Sequence, residues 1–292
     1  MLHRFFTTLV AVTICFCASP AVPSAPSAAT NEPKLDFEDG PLPDDAAFAR
    51  AAATDPIRML KLAAKRYKLT APEGDKEVIS GYTATFLKQE RIGGKLHPPE
   101  VIRVSFREEP YAVLMIWESG GRKMVEGTVF AEGQNAEKML AWHRVLGVVS
   151  VDPKSSGPKN SARYTIEEFG FFHSTIRALK VWTAAEARGG LVWKSLGIRS
   201  VGDRECHVIE RTCAVDELDP FAAGEPKPRI TDSNRPDSFK TITLYFDTKT
   251  WLQLGAELHR ADGELVGSYF YRDVKRNPVL PPETFTRAAL RK

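Results

Sequence analysis

The sequence contains few of the residues on which catalysis and metal binding commonly depend. It has four cysteines and six histidines among 292 residues, and its formal charge at pH 7 is only +3. It contains no Gly-x-Ser-x-Gly, His-Glu-x-x-His or Cys-x-x-Cys pattern, so neither a hydrolase nucleophile nor a zinc site is indicated. Because basic and acidic residues are interspersed, the small positive surplus argues against nucleic acid as a partner.

The remaining candidates for metal binding are also weak. Four histidines fall on different predicted elements: His143, His173, His207 and His259. Cys206 and His207 are neighbours on a predicted strand, and such neighbours point to opposite faces. The acidic residues Asp216, Glu217 and Asp219 lack the glycine and the terminal glutamate of an EF-hand loop. The sequence therefore predicts no metal, no cofactor and no catalytic residue.

The N-terminus has the pattern of a targeting segment. A short basic region precedes an apolar one at residues 5–16, and small residues that suit signal peptidase follow. Because a membrane-spanning helix needs roughly 20 apolar residues, we interpret residues 1–29 as a signal peptide. Residues 30–45 follow as a disordered, proline-rich leader. Alternatives are a lipid anchor on Cys15 or Cys17, or an uncleaved N-terminal anchor. The predicted location is the periplasm or cell envelope.

Two cysteines, Cys206 and Cys213, remain after the signal peptide. Export permits a disulfide between them. Residues 205–213 are predicted to form one strand, however, and seven residues of strand span roughly 23 Å. A disulfide needs its Cα atoms within about 7 Å. Two free thiols, at least one of them buried, are therefore expected unless the chain folds back between them.

The last third of the chain has the clearest structural pattern. Residues 241–246, 251–260 and 265–274 each alternate in the period-two manner of a half-buried strand. Polar turns at 247–250 and 261–263 separate them, and the second turn contains a glycine that tolerates positive φ. The pattern predicts three consecutive antiparallel strands.

Similar signals predict the elements upstream. Further strands are expected at residues 79–91, 101–107, 111–117, 124–131, 138–144, 191–201 and 205–213. Helical spacing predicts one helix from residue 54 to about 67 and a second over 166–187. Thr165 and Glu168 form a capping box for the second helix. Residues 214–238 form a long acidic loop, either a mobile flap or an insertion at the rim.

Two apolar patterns predict where the core lies. The strand at residues 111–117 is apolar on both faces, so we expect it in the middle of a sheet with both faces covered. On the second helix, Phe169, Phe172, Ile176 and Leu179 fall on one stripe, with Trp182 close to it. We expect this stripe to lie across the concave face of the sheet.

The last third resembles the end of outer-membrane lipoprotein-sorting proteins, the periplasmic carriers and sensors of the LolA/LolB-like superfamily. The residues that carry the resemblance are Tyr245-Phe246-Asp247, Lys249-Thr250, Leu252, Glu257, Asp262-Gly263, Leu265, Tyr269, Tyr271, Asp273-Val274-Lys275, Asn277-Pro278, Leu280 and Phe285. A second block resembles a related family of uncharacterised exported proteins through Tyr82–Phe86, Glu90-Arg91, Phe106–Tyr111 and Trp117. These motifs are turn and packing signatures rather than catalytic ones.

The resemblance implies an α+β fold. A large curved antiparallel sheet, or half-open barrel, would carry two or three helices on its concave face, and residues 46–292 would form this single domain. The resemblance also favours an apolar cavity over a fully packed core. Periodicity alone does not distinguish these two alternatives, because both place the same residues inside. The predicted ligand-lining residues are Tyr82, Phe86, Val104, Phe106, Trp117, Phe169, Phe172, Trp182, Leu244, Phe246 and Phe270.

The predicted function is non-enzymatic binding or carriage of a lipid, lipoprotein or other apolar ligand in the cell envelope. Peripheral contact with a membrane is compatible with this function, and no protein partner is identified. One alternative is an envelope sensor that binds a partner protein through the same sheet. A second is a hydrolase of envelope polymers, which needs paired carboxylates in a cleft. No spacing in the sequence predicts such a pair.

Overall fold

The computed structural model describes residues 41–68, 78–121, 124–213 and 237–291, which form an α+β fold. The strands are β1 Gly81–Ile92, β2 Lys95–Leu96, β3 Glu100–Arg107, β4 Ala112–Ser119, β5 Val125–Ala131, β6 Met139–His143, β7 Gly147–Val151, β8 Val192–Val201, β9 Arg204–Thr212, β10 Thr241–Asp247, β11 Gln253–His259 and β12 Leu265–Arg276. The α-helices are α1 Asp45–Thr54, α2 Pro56–Lys68, α3 Ser156–Lys159 and α4 Phe171–Ala187.

All twelve strands belong to one antiparallel sheet. Their order is β7-β6-β5-β4-β3-β1-β12-β11-β10-β9-β8, and β2 pairs with β1 off this path. Strands β7 and β8 are the two edges, so the sheet is open. In the middle, β1 pairs with β12, and Phe86 lies opposite Tyr271. The predicted large antiparallel sheet of half-open form, with helices against it, is confirmed.

The three strands predicted for the last third are confirmed as β10, β11 and β12. The Oδ1 atom of Asp247 accepts hydrogen bonds from the backbone N–H groups of Lys249 and Thr250, at 3.0 and 2.6 Å. Its Oδ2 atom accepts one from Arg204 Nε at 2.8 Å. Trp251 has a φ of +62° and belongs to this turn, which explains why β11 begins two residues later than predicted.

Strand β4 is buried on both faces, as predicted. Val113 and Met115 belong to the core on the concave face of the sheet, which is the face toward α4. On the other face, Leu114 packs in a cluster with Phe285 and Leu290, which the C-terminal 3₁₀ turns supply. A continuous apolar run therefore indicates correctly that both sides of this strand are covered.

The predicted start of the second helix is wrong. Helix α4 begins at Phe171 rather than Ile166, because residues 166–168 form a separate 3₁₀ turn. Between the two, Gly170 has a φ of +124°, which breaks the helical path. Thr165 makes no side-chain capping hydrogen bond, so the predicted capping box is wrong as well.

The predicted apolar stripe of this helix also needs correction. Phe172 and Ile176 are only half-buried, and Phe169 precedes the helix, so it does not share the helical phase that the stripe assumed. The buried side of α4 comprises Phe171, Thr175, Ala178, Leu179, Trp182 and Ala185. Of the residues expected in or beside the stripe, Phe169, Leu179 and Trp182 are buried, and of these Leu179 and Trp182 belong to the helix.

Helices α1 and α3 and strands β2 and β7 were not predicted from the sequence. Helix α1 is rich in alanine and lacks a broad apolar stripe, and it begins where Asp44 Oδ1 accepts a hydrogen bond from Ala47 N at 2.7 Å. Strand β7 begins at Gly147, whose φ of +73° forms the turn after β6. All four segments are short, and none shows the strong periodicity on which the sequence predictions depend.

The two remaining cysteines are buried, and they do not form a disulfide. Burial raises the pKa of the Cys206 thiol to about 12, so it stays protonated at neutral pH. None of the helices in the four described ranges combines the length and the apolar character needed to cross a membrane. The signal peptide, most of the leader and the acidic loop over residues 214–236 lie outside the described residues.

Candidate functional site

A cavity of about 530 Å³ lies between the concave face and α4. Small-molecule sites commonly measure about 300–1,000 Å³. Its apolar lining comes from strands in both halves of the sheet and from α4, and includes Phe86, Ile102, Met115, Trp117, Val125, Met139, Ala141, Val149, Val151, Val181, Trp182, Ile242, Leu244 and Leu258. A mainly apolar wall with a few polar groups is the usual composition of a ligand site.

The concave face is filled at one end, the aromatic end, formed by Tyr82, Phe106, Phe171 and Tyr271. The Tyr82 ring centroid lies 4.7 Å from that of Phe106 and 4.4 Å from that of Phe171. The Tyr271 ring lies 4.4 Å from Phe171 on its other side. Burial is the main reason that the pKa of Tyr82 is raised. The first turn of α4 is therefore packed directly onto the sheet here.

A polar chain crosses the floor of the other end, the hollow end. Lys88 Nζ lies 3.4 Å from Glu90 Oε2 and 3.3 Å from Glu100 Oε2. Trp117 Nε1 donates to Glu100 Oε2 at 2.6 Å, and the Tyr269 hydroxyl donates to Glu90 Oε1 at 2.9 Å. The glutamate side chains are only 2% and 3% exposed. These five residues, called the polar chain below, join four adjacent strands.

Strand geometry places the polar chain. On β1, the side chains of Phe86, Lys88 and Glu90 all lie on the concave face, because strand side chains return to the same face every two residues. Lys88 is paired directly with Tyr269 on β12 and with Glu100 on β3. Neighbouring strands lie about 4.8 Å apart, so one ammonium group reaches carboxylates on its own strand and on the next.

The segment that enters α4 closes the cavity from above. Its backbone is anchored by the Tyr111 hydroxyl, which donates to the carbonyl oxygens of Ile166 at 2.6 Å and Phe169 at 3.1 Å. At Gly170 a Cβ atom would lie 3.0 Å from Phe106 Cζ. Glycine therefore permits both the positive φ and the close approach of the chain to the aromatic end.

The charged side chains along the cavity balance in sign. The described residues that line it include three basic ones, Lys88, Arg177 and Arg211, and three acidic ones, Glu90, Glu100 and Glu168. Besides the pairs of the polar chain, Arg177 lies 3.5 Å from Glu168. Arg211 is only 1% exposed. The lining thus carries charge without a formal surplus of either sign.

The structure brings five of the eleven predicted ligand-lining residues to the cavity. They are Phe86, Trp117, Phe169, Trp182 and Leu244. Four others are fully buried in side-chain packing away from it, namely Tyr82, Val104, Phe106 and Phe246. For the five at the cavity, contact with a ligand stays a prediction.

Phe172 and Phe270 lie elsewhere. The Phe172 ring packs 5.6 Å from the Tyr67 ring and 4.4 Å from Lys68 Nζ on α2. The Phe270 ring covers Gly255 on β11, where a Cβ atom would lie 2.4 Å from Phe270 Cδ1. Since its neighbours Tyr269 and Tyr271 line the cavity, alternation along the strand directs Phe270 to the opposite face.

Sequence reasoning missed the polar chain. Lys88 and Glu90 continue the two-residue period that begins at Phe86, so both were predictable on the same face as an aromatic residue. Glu100 lies at the start of β3, and its contact with Lys88 depends on strand register, which the sequence does not specify. The available signal was a polar pair on an otherwise apolar strand face.

One of the histidines considered as a metal ligand has a structural role instead. His143 lines the cavity, and its Nδ1 atom accepts hydrogen bonds from the backbone N–H groups of Val145 and Leu146, each at 3.2 Å. These bonds stabilise the turn between β6 and β7. Within the described ranges, no three His, Cys, Asp or Glu residues are grouped closely enough to hold a metal ion.

The comparisons with known families begin with the central part of the chain. Residues 79–222 match the family described as "Protein of unknown function (DUF1571)". This region contains the block from Tyr82 to Trp117, so the predicted resemblance to an uncharacterised family is confirmed. No curated protein matches the sequence.

Several solved structures are similar to this fold at low sequence identity. A MucA/MucB complex from Pseudomonas aeruginosa matches with 11% identity and a TM-score of 0.41, over 78% of this chain and 59% of that one. The lipoprotein LppX from Mycobacterium tuberculosis matches with 13% identity and a TM-score of 0.39, over 78% and 99%. A LolA superfamily protein from Nitrosomonas europaea matches with 10% identity and a TM-score of 0.32, over 78% and 97%. This chain therefore spans less than two thirds of MucB.

Proposed function

We propose that the protein binds the apolar part of a lipid or lipoprotein in the cavity between its sheet and α4, in the cell envelope and without chemistry. The observation that carries the proposal is the cavity itself, about 530 Å³ with a mainly apolar wall. Apolar pockets with few polar groups are how proteins hold such ligands. The proposed location depends on the N-terminal segment, whose order of basic, apolar and small residues is that of a signal peptide.

The expected affinity follows from the burial of methylene groups. Each CH₂ removed from water contributes about 0.8 kcal/mol. Ten buried methylene groups would contribute roughly 8 kcal/mol, which corresponds to a dissociation constant of about 1 μM before the entropic costs of association. Because those costs weaken the binding, ten methylene groups alone give reversible binding weaker than micromolar, which suits a carrier better than a permanent store.

The carboxylate pair of the polar chain does not favour the hydrolase alternative. A glycosidase needs one protonated carboxyl as acid and one ionised carboxylate as base or nucleophile. Here Lys88 Nζ contacts both Glu90 and Glu100, so the two carboxylates share one cation and neither is set apart as an acid or as a base. The polar chain is better suited to hold fixed charges than to transfer a proton.

Binding of the neutral fluorescent probe N-phenyl-1-naphthylamine tests the proposal. We expect saturable binding to the wild-type protein and loss of at least tenfold in affinity in Val149→Trp, because Val149 lines the cavity on the edge strand β7. Val192→Trp is the matched control, on the other edge strand and 60% exposed. It should bind as the wild type does. No saturable binding by the wild type, or equal loss in both variants, would overturn the proposal.

A further inference from the structure

We infer that the cavity selects an uncharged amphiphile, a lipid whose polar part is a hydroxyl or ester group, over a lipid with an ionised carboxylate head group. The inference rests on the proposed function and specifies the class of ligand. Three features of the cavity support it: the balance of charge in its lining, the position of the polar chain, and the hydrogen-bonding capacity of that chain.

The first feature is electrostatic. The cavity lining carries three basic and three acidic side chains, and the glutamates of the polar chain are almost completely buried. A charge moved from water into such a site must be compensated by a partner of opposite charge, because its lost hydration is otherwise not replaced. Lys88 is shared by Glu90 and Glu100, so the polar chain carries one more negative than positive charge and an added carboxylate would increase this surplus. An uncharged head group avoids this cost.

The second feature is the position of the polar chain within the sheet. It occupies β4, β3, β1 and β12, which are adjacent in the sheet order. The cavity lining on either side of these strands is mainly apolar, with Met139, Val149 and Val151 beside His143 on one side, and Ile242 and Leu258 beside Arg211 on the other. A bound lipid therefore has its polar group near the middle of the floor and apolar walls to either side.

The third feature is the match of donors and acceptors. A carboxylate accepts several hydrogen bonds, and an ammonium group donates three. A hydroxyl group can donate to Glu90 or Glu100 and accept from Lys88 at the same time, and an ester carbonyl can accept from Lys88. Neither needs to break the ion pairs at 3.3 and 3.4 Å. The intact polar chain is thus itself the recognition element for an uncharged polar group.

Competition between two lipids of equal chain length tests the inference. Bound N-phenyl-1-naphthylamine is displaced by 1-monoolein or by oleate below their aggregation concentrations, at pH 8, where an ordinary carboxyl is ionised and an ordinary imidazole neutral. We expect 1-monoolein to bind at least tenfold more tightly than oleate. Oleate binding as tightly or more tightly overturns the inference but leaves the proposed function intact. Failure of the probe and of both lipids to bind overturns the proposed function itself.

A change of one lining charge should shift this selectivity. Glu100→Gln removes one negative charge, and its amide oxygen still accepts from Trp117 Nε1. The ratio of oleate to 1-monoolein affinity should rise at least tenfold. Glu118→Gln is the control, because Glu118 lies at the end of β4 with its side chain 48% exposed and should leave the ratio unchanged. An unchanged ratio in folded Glu100→Gln contradicts the inference. If that variant does not fold, Glu168→Gln at the cavity rim is the second test, with the same expected direction.

Discussion

The aromatic end and the hollow end lie on the same face of the same strands, yet only one of them is filled. Tyr82 and Lys88 are six residues apart on β1. Tyr82 is fully buried beneath Phe171, whereas Lys88 lies in the floor of the cavity. Both ends lie on β1, β3 and β12, so their place in the strand order does not explain the difference.

The difference lies in which neighbouring groups stabilise the side chains at each end. The rings of the aromatic end gain free energy from every apolar contact, so a helix packs directly onto them. The carboxylates and the ammonium group of the hollow end gain nothing from an apolar neighbour, because their partners lie in the floor, where the glutamate side chains are only 2% and 3% exposed. Ion pairing satisfies them along the floor and leaves open space above. The polar chain and the cavity are therefore two aspects of one arrangement.

Adjacent phenylalanines on α4 provide the largest test of this comparison. Phe171→Ala should lower the free energy of unfolding by roughly 3–5 kcal/mol, because it removes a fully buried ring from the aromatic end. Phe172→Ala should cost about 1–2 kcal/mol, since its ring is half-buried against Tyr67. Urea denaturation measures both. Equal losses of stability in the two variants would mean that α4 is rotated so that Phe172 faces the sheet, as in the stripe predicted from the sequence.

Ligand addition should stabilise the protein through the hollow end alone. At 100 times its dissociation constant, 1-monoolein should raise the free energy of unfolding by about 2.7 kcal/mol. Phe171→Ala should retain this gain although it is less stable, because its substitution lies at the aromatic end. Val149→Trp should lose the gain, and Val192→Trp should keep it. A gain that persists in Val149→Trp would place the ligand elsewhere.

Removal of one donor from the polar chain should have a moderate effect on stability. Trp117→Phe deletes the N–H group that donates to Glu100 at 2.6 Å. Hydrogen bonds to charged groups contribute roughly 1.5–3 kcal/mol. Trp142→Phe deletes a similar bond to Glu126, at 3.2 Å, and should cost much less because that carboxylate is 40% exposed and screened by water. Equal denaturation midpoints for Trp117→Phe and Trp142→Phe would contradict the expected difference in stability.

The smallest expected effect lies at Asp247, outside both ends. Burial alone would raise its pKa, but the hydrogen bonds from Thr250 and Arg204 outweigh burial and lower the pKa below its usual range. The stabilisation is therefore present above the unfolded-state pKa of about 3.9 and is lost as the pH falls through the lower folded-state value. Asp247→Asn should cost about 1 kcal/mol at pH 7. The difference in free energy of unfolding between Asp247→Asn and the wild type should become smaller below pH 4. The corresponding difference for Phe171→Ala should not become smaller there.

The parts of the fold that were predictable are those with strong local patterns. Period-two alternation gave β10, β11 and β12 nearly to the residue, and the apolar run of β4 indicated burial on both sides. The pairing of β1 with β12 was not predictable from the residues, because it joins segments almost 200 residues apart and depends on register. Helix α4 was placed in the wrong phase because the break at Gly170 arises from close contact with Phe106, which is a tertiary effect.

The candidate site was predictable only in part for a related reason. Periodicity directs Phe86, Trp117 and Leu244 to the concave face, but it directs Tyr82 and Phe106 there too. Whether a residue on that face meets another ring or an open space depends on where α4 lies. The polar chain was not predicted because the contacts of Lys88 with Glu100 and of Glu90 with Tyr269 join different strands.

The open edge at β8 has a consequence for self-association. A long exposed edge strand is a template to which a second copy can add its own strand. Here the pairing of β8 with β9 shifts register between Ser195 and Ile198, and Gly197 has a φ of +73°. Such a bulge bends and twists the edge, and the charged side chains of Lys194 and Arg199 flank it. An incoming strand would find a straight run of only a few residues, so the sheet ends at β8 rather than growing into a fibre.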